Sequence, residues 1–432
     1  MEVISSMFDY FSPIPTQHSI ISEFDIDLHP SSALADNVPL EFNFNGADMI
    51  YIDLSQSELL LEIKILANAG AALAKDEPVG PANDILHTMW SSSDLYLNGQ
   101  RVSDHNNHYG YRAVLEDLLH FTPEIQKTQL VLAGFAKDTA GKFDDAKAIG
   151  GTNNGLAQRA EPFRLGATVQ LKGRPHHDLF HQHRAILPRT PIRIVFTPAA
   201  NQFALMNTLM TSVTENPRYQ IRIASAVLYL RAVHVAPSFS LSHETYLQKQ
   251  NSRYPLIYTA MRVLTLPQGG TAFTNDVFQG VLPDRIFLVM VDHASMAGSW
   301  NTNPFNFQHF NVNYLALNVN GESVPRSPYR PNFKKHHFVR EYDALFDTLG
   351  LKNSRDTINI EPNDFENGYA IFAFKINPDR QMSTIDAKTG SIRLDLGFDG
   401  ATTSTINAIL LCDYSTLLEI DHFRKVLLNV GL

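Results

Sequence analysis

The sequence predicts an all-β protein made of two copies of one β-domain, with helices confined to connections. Three observations point there. Apolar residues recur mostly with period two, Gly, Pro and Asn separate the apolar runs with turn chemistry, and one strand–turn–helix unit occurs once in each half of the chain.

The alternating segments come first. Leu59, Leu61, Ile63 and Ile65 alternate with Leu60, Glu62 and Lys64; Ile192, Ile194 and Phe196 flank Arg193; Ile221 and Ile223 flank Arg222; Ile392, Leu394, Leu396 and Phe398 alternate with Arg393, Asp395 and Gly397. Each reads as a strand with one face on a core and one on solvent. Ala226–Leu230, Ile286–Val291, Tyr369–Phe374 and Ile406–Leu411 are apolar nearly throughout, as expected of strands covered on both faces. Turn chemistry at Asn98-Gly99, Pro267–Gly270, Asn320-Gly321 and Pro362-Asn363 separates the strands.

Two segments carry helical spacing instead. Tyr111, Val114, Leu115 and Leu118 line one face of Tyr111–Leu119, and Phe338, Tyr342, Leu345, Phe346 and Leu349 line one face of Phe338–Leu349, which Gly350 ends. The first follows the strand and turn Asp94–Gly99, the second Asn313–Gly321, which is the basis for reading a duplication. The expected division is a lead-in arm over 1–38, one β-domain over 39–236, a linker over 237–252 containing Pro237, Ser238, Ser240 and Ser242, and a second β-domain over 253–432. Lys137–Arg159, polar and Gly-rich, reads as an exposed insertion.

Composition removes several function classes. The chain has 432 residues, 44% hydrophobic and 18% charged, which is a globular composition with enough length for a sizeable core. A formal charge of −9 without a basic tail speaks against a protein whose task is neutralising phosphates. The one cysteine, Cys412, allows no intrachain disulfide and no multi-cysteine zinc site. Met1–Pro15 carries Glu2 and Asp9 and lacks the pattern of a secretory signal, and apolar runs such as Ile286–Val291 fall far short of the ~20 residues of a membrane-spanning helix.

Catalytic motifs were sought and fail. Gly173–His183 packs His176, His177, His181, His183 and Asp178 together, a density that binds metals in some proteins, but Pro175 opposes a regular helix and the segment is read as a polar loop or interface. His243-Glu244 begins a zinc-protease motif whose second histidine position is Leu247. Gly150–Gly155 lacks the Lys-Ser/Thr of a phosphate loop, and no nucleophile elbow occurs. The adjacent carboxylates Asp144/Asp145 and Glu116/Asp117 point apart and are expected in solvent, and the short basic run Lys334–His337 is expected to face solvent or a neighbouring subunit. Cys412 sits in an apolar strand as a small inert hydrophobe. No residue is therefore assigned as catalytic, cofactor-binding or metal-ligating, and no cofactor is expected.

The order of several segments resembles a known family. Val79–Trp90, Asp94–Gly99 and Tyr109–Leu119, then Gly173-Arg174 with Asp178-Leu179-Phe180, Pro191–Phe196, Phe203–Met206 and Leu241–Glu244, are similar to the double jelly-roll major capsid proteins of Polinton/Maverick elements, adintoviruses and virophages. Gln279–Arg285, Asn303–Phe310 and Asn367–Ala370 continue the likeness, which spans about residues 40 to 425. The resemblance implies two tandem eight-stranded jelly rolls with short helices in the connections. It also implies a homotrimeric, pseudo-hexameric capsomer in an icosahedral shell around double-stranded DNA, with a single jelly-roll penton or minor capsid protein as partner. Within it, His176 and Asp178 belong to a structural signature. Lys137–Arg159 and the termini are the candidate clasps between subunits. The competing expectation is a tandem β-sandwich that binds or hydrolyses carbohydrate, which would need a cleft with exposed aromatics and two converging carboxylates.

Overall fold

A computed structural model describes residues 17, 19–67, 70–104, 106–208, 219–377 and 388–428. The alternating segments become two sandwiches of eight equivalent strands each, and the second carries a further short strand, Val426–Leu428, paired along Ile406–Ile420. In the first, β1 (Ile20–Leu28), β2 (Leu40–Phe44), β3 (Ile50–Leu66), β4 (Trp90–Leu97), β5 (Gln100–Arg101), β6 (Val169–Gly173), β7 (Ile192–Pro198) and β8 (Gln220–Val235) form two antiparallel sheets, ordered β1-β8-β3-β6 and β2-β7-β4-β5. In the second, β9 (Ser252–Leu266), β10 (Ala272–Val281), β11 (Arg285–Asp292), β12 (Val312–Val319), β13 (Glu322–Tyr329), β14 (Phe372–Lys375), β15 (Thr389–Phe398) and β16 (Ile406–Ile420) are ordered β9-β16-β11-β14 and β10-β15-β12-β13. Adding eight to any strand number of the first sandwich gives its counterpart in the second, so the duplication read from the sequence is a duplication of topology. Both have jelly-roll connectivity.

The repeated punctuation is equally regular. Leu97 pairs with Gln100 across Asn98-Gly99, and Val319 with Glu322 across Asn320-Gly321. Both turns have positive φ at both central residues, 46° and 77° in the first and 52° and 92° in the second, which is the two-residue hairpin that Asn-Gly favours. Each hairpin leads to the expected helix, α1 (Tyr109–His120) and then, after α2 (Pro237–Leu247) between the rolls, α3 (Val339–Leu349), which Gly350 ends in the left-handed conformation.

Several expectations change. The predicted arm over 1–38 contains β1, whose residues pair along β8; its side chains are largely exposed, so its apolar alternation of Phe24, Ile26 and Leu28 carries little burial signal. The predicted linker over 237–252 is mostly helical, because Pro237 occupies the first turn, where its missing N–H leaves no bond unmade. Pro362-Asn363 opens a short helix, Pro362–Glu366, capped by Glu361 and Asp364. Ala226–Leu230 alternates buried and half-buried residues along β8, whereas Ile286–Val291, Tyr369–Phe374 and Ile406–Leu411 are buried throughout, with the β14 strand beginning only at Phe372.

The largest correction concerns Lys137–Arg159. Among its residues Asp138, Phe143, Ala148, Asn153, Leu156 and Arg159 are buried, because the segment fastens one roll to the other. Asp138 accepts from Arg159 NH2 and Asn153 Nδ2, both at 2.8 Å, and from Nδ2 of Asn303 in the second roll at 3.1 Å. The Gly141 N–H donates to the Asn367 carbonyl at 2.7 Å, Asp144 accepts the Asn303 N–H at 2.8 Å, and the Phe143 ring meets Tyr369 edge-on at 4.8 Å. A polar, Gly-rich composition here serves an internal clasp, with its polar groups paired inside the molecule.

Candidate functional site

Helix α1 is the structural centre of the molecule. Its apolar stripe of Tyr111, Val114, Leu115 and Leu118 is buried, the Tyr111 ring meeting Phe203 of the first roll and Phe305 of the second, yet Arg112, Glu116 and Asp117 are also 5%, 3% and 1% exposed. Arg112 and Glu116 lie one turn apart on a common face, and that face meets the second roll. The expectation that Glu116 and Asp117 are solvated is thus overturned: His176 and Asp84, both of the first roll, cover these carboxylates, while Arg112 reaches Thr259 of the second.

A ring of buried polar contacts crosses between the rolls. Arg112 donates from Nε to Glu116 at 2.8 Å and from NH2 to Asp178 Oδ1 at 2.5 Å. Asp178 Oδ1 also accepts the backbone N–H of Thr259, on β9, at 3.1 Å. The Thr259 hydroxyl donates to Asp413 of β16 at 3.1 Å, and Asp413 pairs with Arg285 of β11. Arg285 NH2 returns to α1 at His120 Nε2, 3.2 Å away. Removing such charges from water costs several kcal/mol each, so the rolls dock at low energy only in the arrangement that pairs them all.

A second cluster lies beside this ring. Asp84, held at φ 55° and ψ 53°, a conformation Asp tolerates better than most residues, precedes the short helix Ile85–Thr88 that carries His87, its side chain making no capping bond. The loop after β6 turns His176 toward both. The atoms that Asp84, His87 and His176 offer all lie within 4.8 Å of one another. His176 Nδ1 is 2.7 Å from Glu116 Oε2 and its Nε2 is 3.5 Å from Asp117 Oδ1. His87 Nδ1 is 3.1 Å from the Tyr109 hydroxyl, which accepts the His176 backbone N–H at 3.1 Å.

Electrostatics follow from burial. Burial pushes the Asp84 carboxyl up to about 8, and burial together with the Asp84 and Glu116 charges holds Asp117 well above the usual carboxylate range. Burial likewise lowers His87 and His176, keeping the imidazoles neutral near pH 7. Glu116 behaves oppositely: burial raises it, but the Arg112 guanidinium and the His176 hydrogen bond outweigh this and leave it well below the ordinary value. Burial lifts Asp178 to about 6 against the pull of Arg112.

Of the histidine-rich segment, therefore, His176, His177 and Asp178 are buried, His183 faces outward, and the partly exposed His181 turns its Nε2 to 3.5 Å from Glu116 Oε2. His177 Nε2 lies 2.8 Å from the Ser93 hydroxyl. The other candidates hold structure together. His243 Nδ1 is 2.8 Å from the Tyr51 hydroxyl, and Glu244 pairs with Arg189 and Arg424. In Gly150–Gly155, Thr152 donates to Asp145 and Asn153 caps the helix Asn154–Ala160. Lys334 pairs with Asp399 and His336 with Glu366. Trp90 and Trp300, at 0% and 2% exposure, are core residues and offer no stacking platform for a sugar. Sequence reasoning missed Asp84, His87, Arg112, Thr259, Arg285 and Asp413. Arg112 and Glu116 at helical spacing were the signal available for the first pair.

No described family profile matches the sequence. An uncharacterized protein of Caenorhabditis elegans is 22% identical over 407 residues, covering 90% of this chain and 93% of that one. Among solved structures, a chain of the Sputnik virophage superposes with a TM-score of 0.65 at 12% identity, covering 100% of this chain and 93% of the other. The Faustovirus major capsid protein gives 0.58 at 9% identity over 98% and 93% of the two chains, and the mavirus major capsid protein 0.53 at 10% over 100% and 96%. The chain has the double jelly-roll fold of these viral major capsid proteins.

Proposed function

We propose that this protein is a major capsid protein whose three copies form a pseudo-hexameric capsomer of an icosahedral shell around double-stranded DNA. The observation that carries the reading is the strand-for-strand duplication of one jelly roll within one chain, in the fold of the mavirus and Faustovirus capsid proteins over nearly their whole length. Two similar rolls per chain make six similar blocks per trimer, the geometry of a hexagonal tile.

That geometry needs the two rolls held at one angle, and the ring from Arg112 through Asp178, Thr259, Asp413 and Arg285 supports such a role, as does the Lys137–Arg159 clasp. We assign residues 20–235 and 252–428 to the two rolls, with α2 as the connection. Leu241 and Tyr246 of α2 are 69% and 61% exposed and Phe423 is 76% exposed, apolar surface available for contacts between copies. The protein works through these surfaces and has no reaction to catalyse. A formal charge of −9 supports a genome held by other components, and a single jelly-roll protein would occupy the vertices. Such a protein resides in the virion capsid.

Mass measurement in solution with electron microscopy of the purified chain tests the reading. Trimers, or shells at raised concentration and varied ionic strength, are the expected result; a stable monomer under all conditions would refute it.

A further inference from the structure

The geometry points to a structural divalent-cation site of the zinc class, formed by Asp84, His87 and His176 with Asp117 beside them. Neither this site nor its ion follows from the capsid reading, and it would stand if that reading fell.

Three features carry the inference. The first is convergence. Ligands bound to one ion at ~2.1 Å lie roughly 3–4 Å apart, and the donor atoms of Asp84, His87 and His176 already lie within 4.8 Å of one another. Nitrogen and carboxylate oxygen together are the donor set that suits zinc and its neighbours.

The second is the state of the two carboxylates. Asp84 and Asp117 are 0% and 1% exposed, and apart from a proton the two carboxyls can share with each other, none of their four oxygens has a hydrogen-bond donor. Their nearest companions are each other and the Nε2 side of His176. Arg112 is already engaged by Glu116 and Asp178. The buried cluster thus holds four carboxylates against one guanidinium, and Arg174 lies at its half-buried rim. A divalent cation between Asp84 and His176 would displace the protons that burial otherwise keeps on these carboxyls and occupy their unpartnered lone pairs.

The third is the orientation of the imidazoles. The Glu116 carboxylate only accepts, so His176 Nδ1 donates to it and Nε2 is left as a free lone pair facing Asp117 and the cluster. A carboxylate behind the distal nitrogen is how proteins orient metal-binding histidines. His87 has Nδ1 3.1 Å from the Tyr109 hydroxyl, and the tautomer that donates its Nδ1 proton to that oxygen leaves Nε2 as the lone pair for an ion. The surroundings are closed and every donor is buried, so the ion would tie Ile85–Thr88, α1 and the loop after β6 together, with no open position for a substrate.

The test uses the full chain, purified without chelator and analysed for metals. One equivalent of a divalent transition ion per chain is expected. Unfolding in chelator and refolding without metal should lower the melting temperature, and refolding with zinc should restore it. Refolding with cobalt(II) should give the visible absorption of a nitrogen- and oxygen-ligated ion, and His87→Gln should lose most of that absorption while Asp145→Asn, at an exposed loop, keeps it. Should refolding with zinc or cobalt leave both melting and spectrum unchanged from the metal-free protein, the proposal is overturned. It is equally overturned if Asp117→Asn stabilises the metal-free and metal-treated proteins alike, since the two carboxylates then merely share a proton.

Discussion

The carboxylate of Asp178, in the first jelly roll, accepts the backbone N–H of Thr259, in the second, at 3.1 Å while also holding Arg112 at 2.5 Å. One side chain therefore ties a helix of one roll to a strand of the other, with all three groups out of solvent. Asp178→Ala leaves the Arg112 guanidinium with Glu116 and a long 3.4 Å bond to the Thr259 carbonyl, and the Thr259 amide without an acceptor. Loss of one partner from a buried pair costs about 3–5 kcal/mol, and chemical denaturation should show a loss of that size. Asp178→Asn keeps an acceptor for Thr259 and should cost less. Equal effects from both substitutions would mean that Asp178 works only through its charge on Arg112.

The clasp makes a separate demand. Gly368, at φ +116°, lies where an added Cβ would come within 2.2 Å of the Phe143 ring, so both backbone conformation and space require glycine. Gly368→Ala should displace Phe143 from its contact with Tyr369 and destabilise by about 1–3 kcal/mol, the usual range for overpacking. Limited proteolysis should then cut within Lys137–Arg159 faster than in the parent, while cleavage elsewhere stays unchanged. Unaltered cleavage of the segment would show that it does not depend on the second roll.

Local structure was legible in this sequence to the extent that it depends on neighbours along the chain. Asn98-Gly99 and Asn320-Gly321 specify their hairpins because both residues tolerate positive φ, and the α1 and α3 stripes specify helices because the apolar side chains recur once per turn. Burial of polar groups was not legible. Whether Glu116 is solvated depends on Arg112, four residues away, but also on His176 and His181, sixty and more residues on. The same holds for Asp138, whose partner Asn303 belongs to the other half of the chain. The helix α3, equivalent to α1 in the duplication, keeps its polar face largely in solvent, so internal symmetry would have given the wrong answer for α1.

Cys412 offers a clean reporter of global opening. It is fully buried in β16, between Ala260 of β9 and Ile286 of β11, and burial raises its thiol well above the ordinary value, leaving almost no reactive thiolate. A thiol reagent should therefore leave the native protein unlabelled at neutral pH and modify one cysteine after denaturation. Under native conditions labelling should follow the opening of the central sheet, and Asp178→Ala should accelerate it. Rapid labelling of the undisturbed parent would show that β16 opens without global unfolding.

Acid should weaken the fold partly through His309. Its ring stacks on Phe333 at 3.8 Å, and its Nδ1 accepts the Asn311 N–H at 2.9 Å, so the neutral imidazole is the form the structure accommodates. Burial lowers it to about 4, with Glu366 as the opposing nearby charge. In the unfolded chain a histidine titrates near 6.5. The native contribution is thus complete above that value, because neither state is then protonated. As pH falls from about 6.5 to about 4, the unfolded chain binds a proton that the folded one refuses, and stability drops at no more than about 1.4 kcal/mol per pH unit, less for a half-buried ring that solvent partly screens. His309→Phe keeps the stack and removes the titration, so unfolding curves measured across this window should fall less steeply with acid in the variant than in the parent. Parallel slopes for the two proteins would assign the acid sensitivity to the other buried histidines, such as His87 and His177, and leave His309 with a packing role alone.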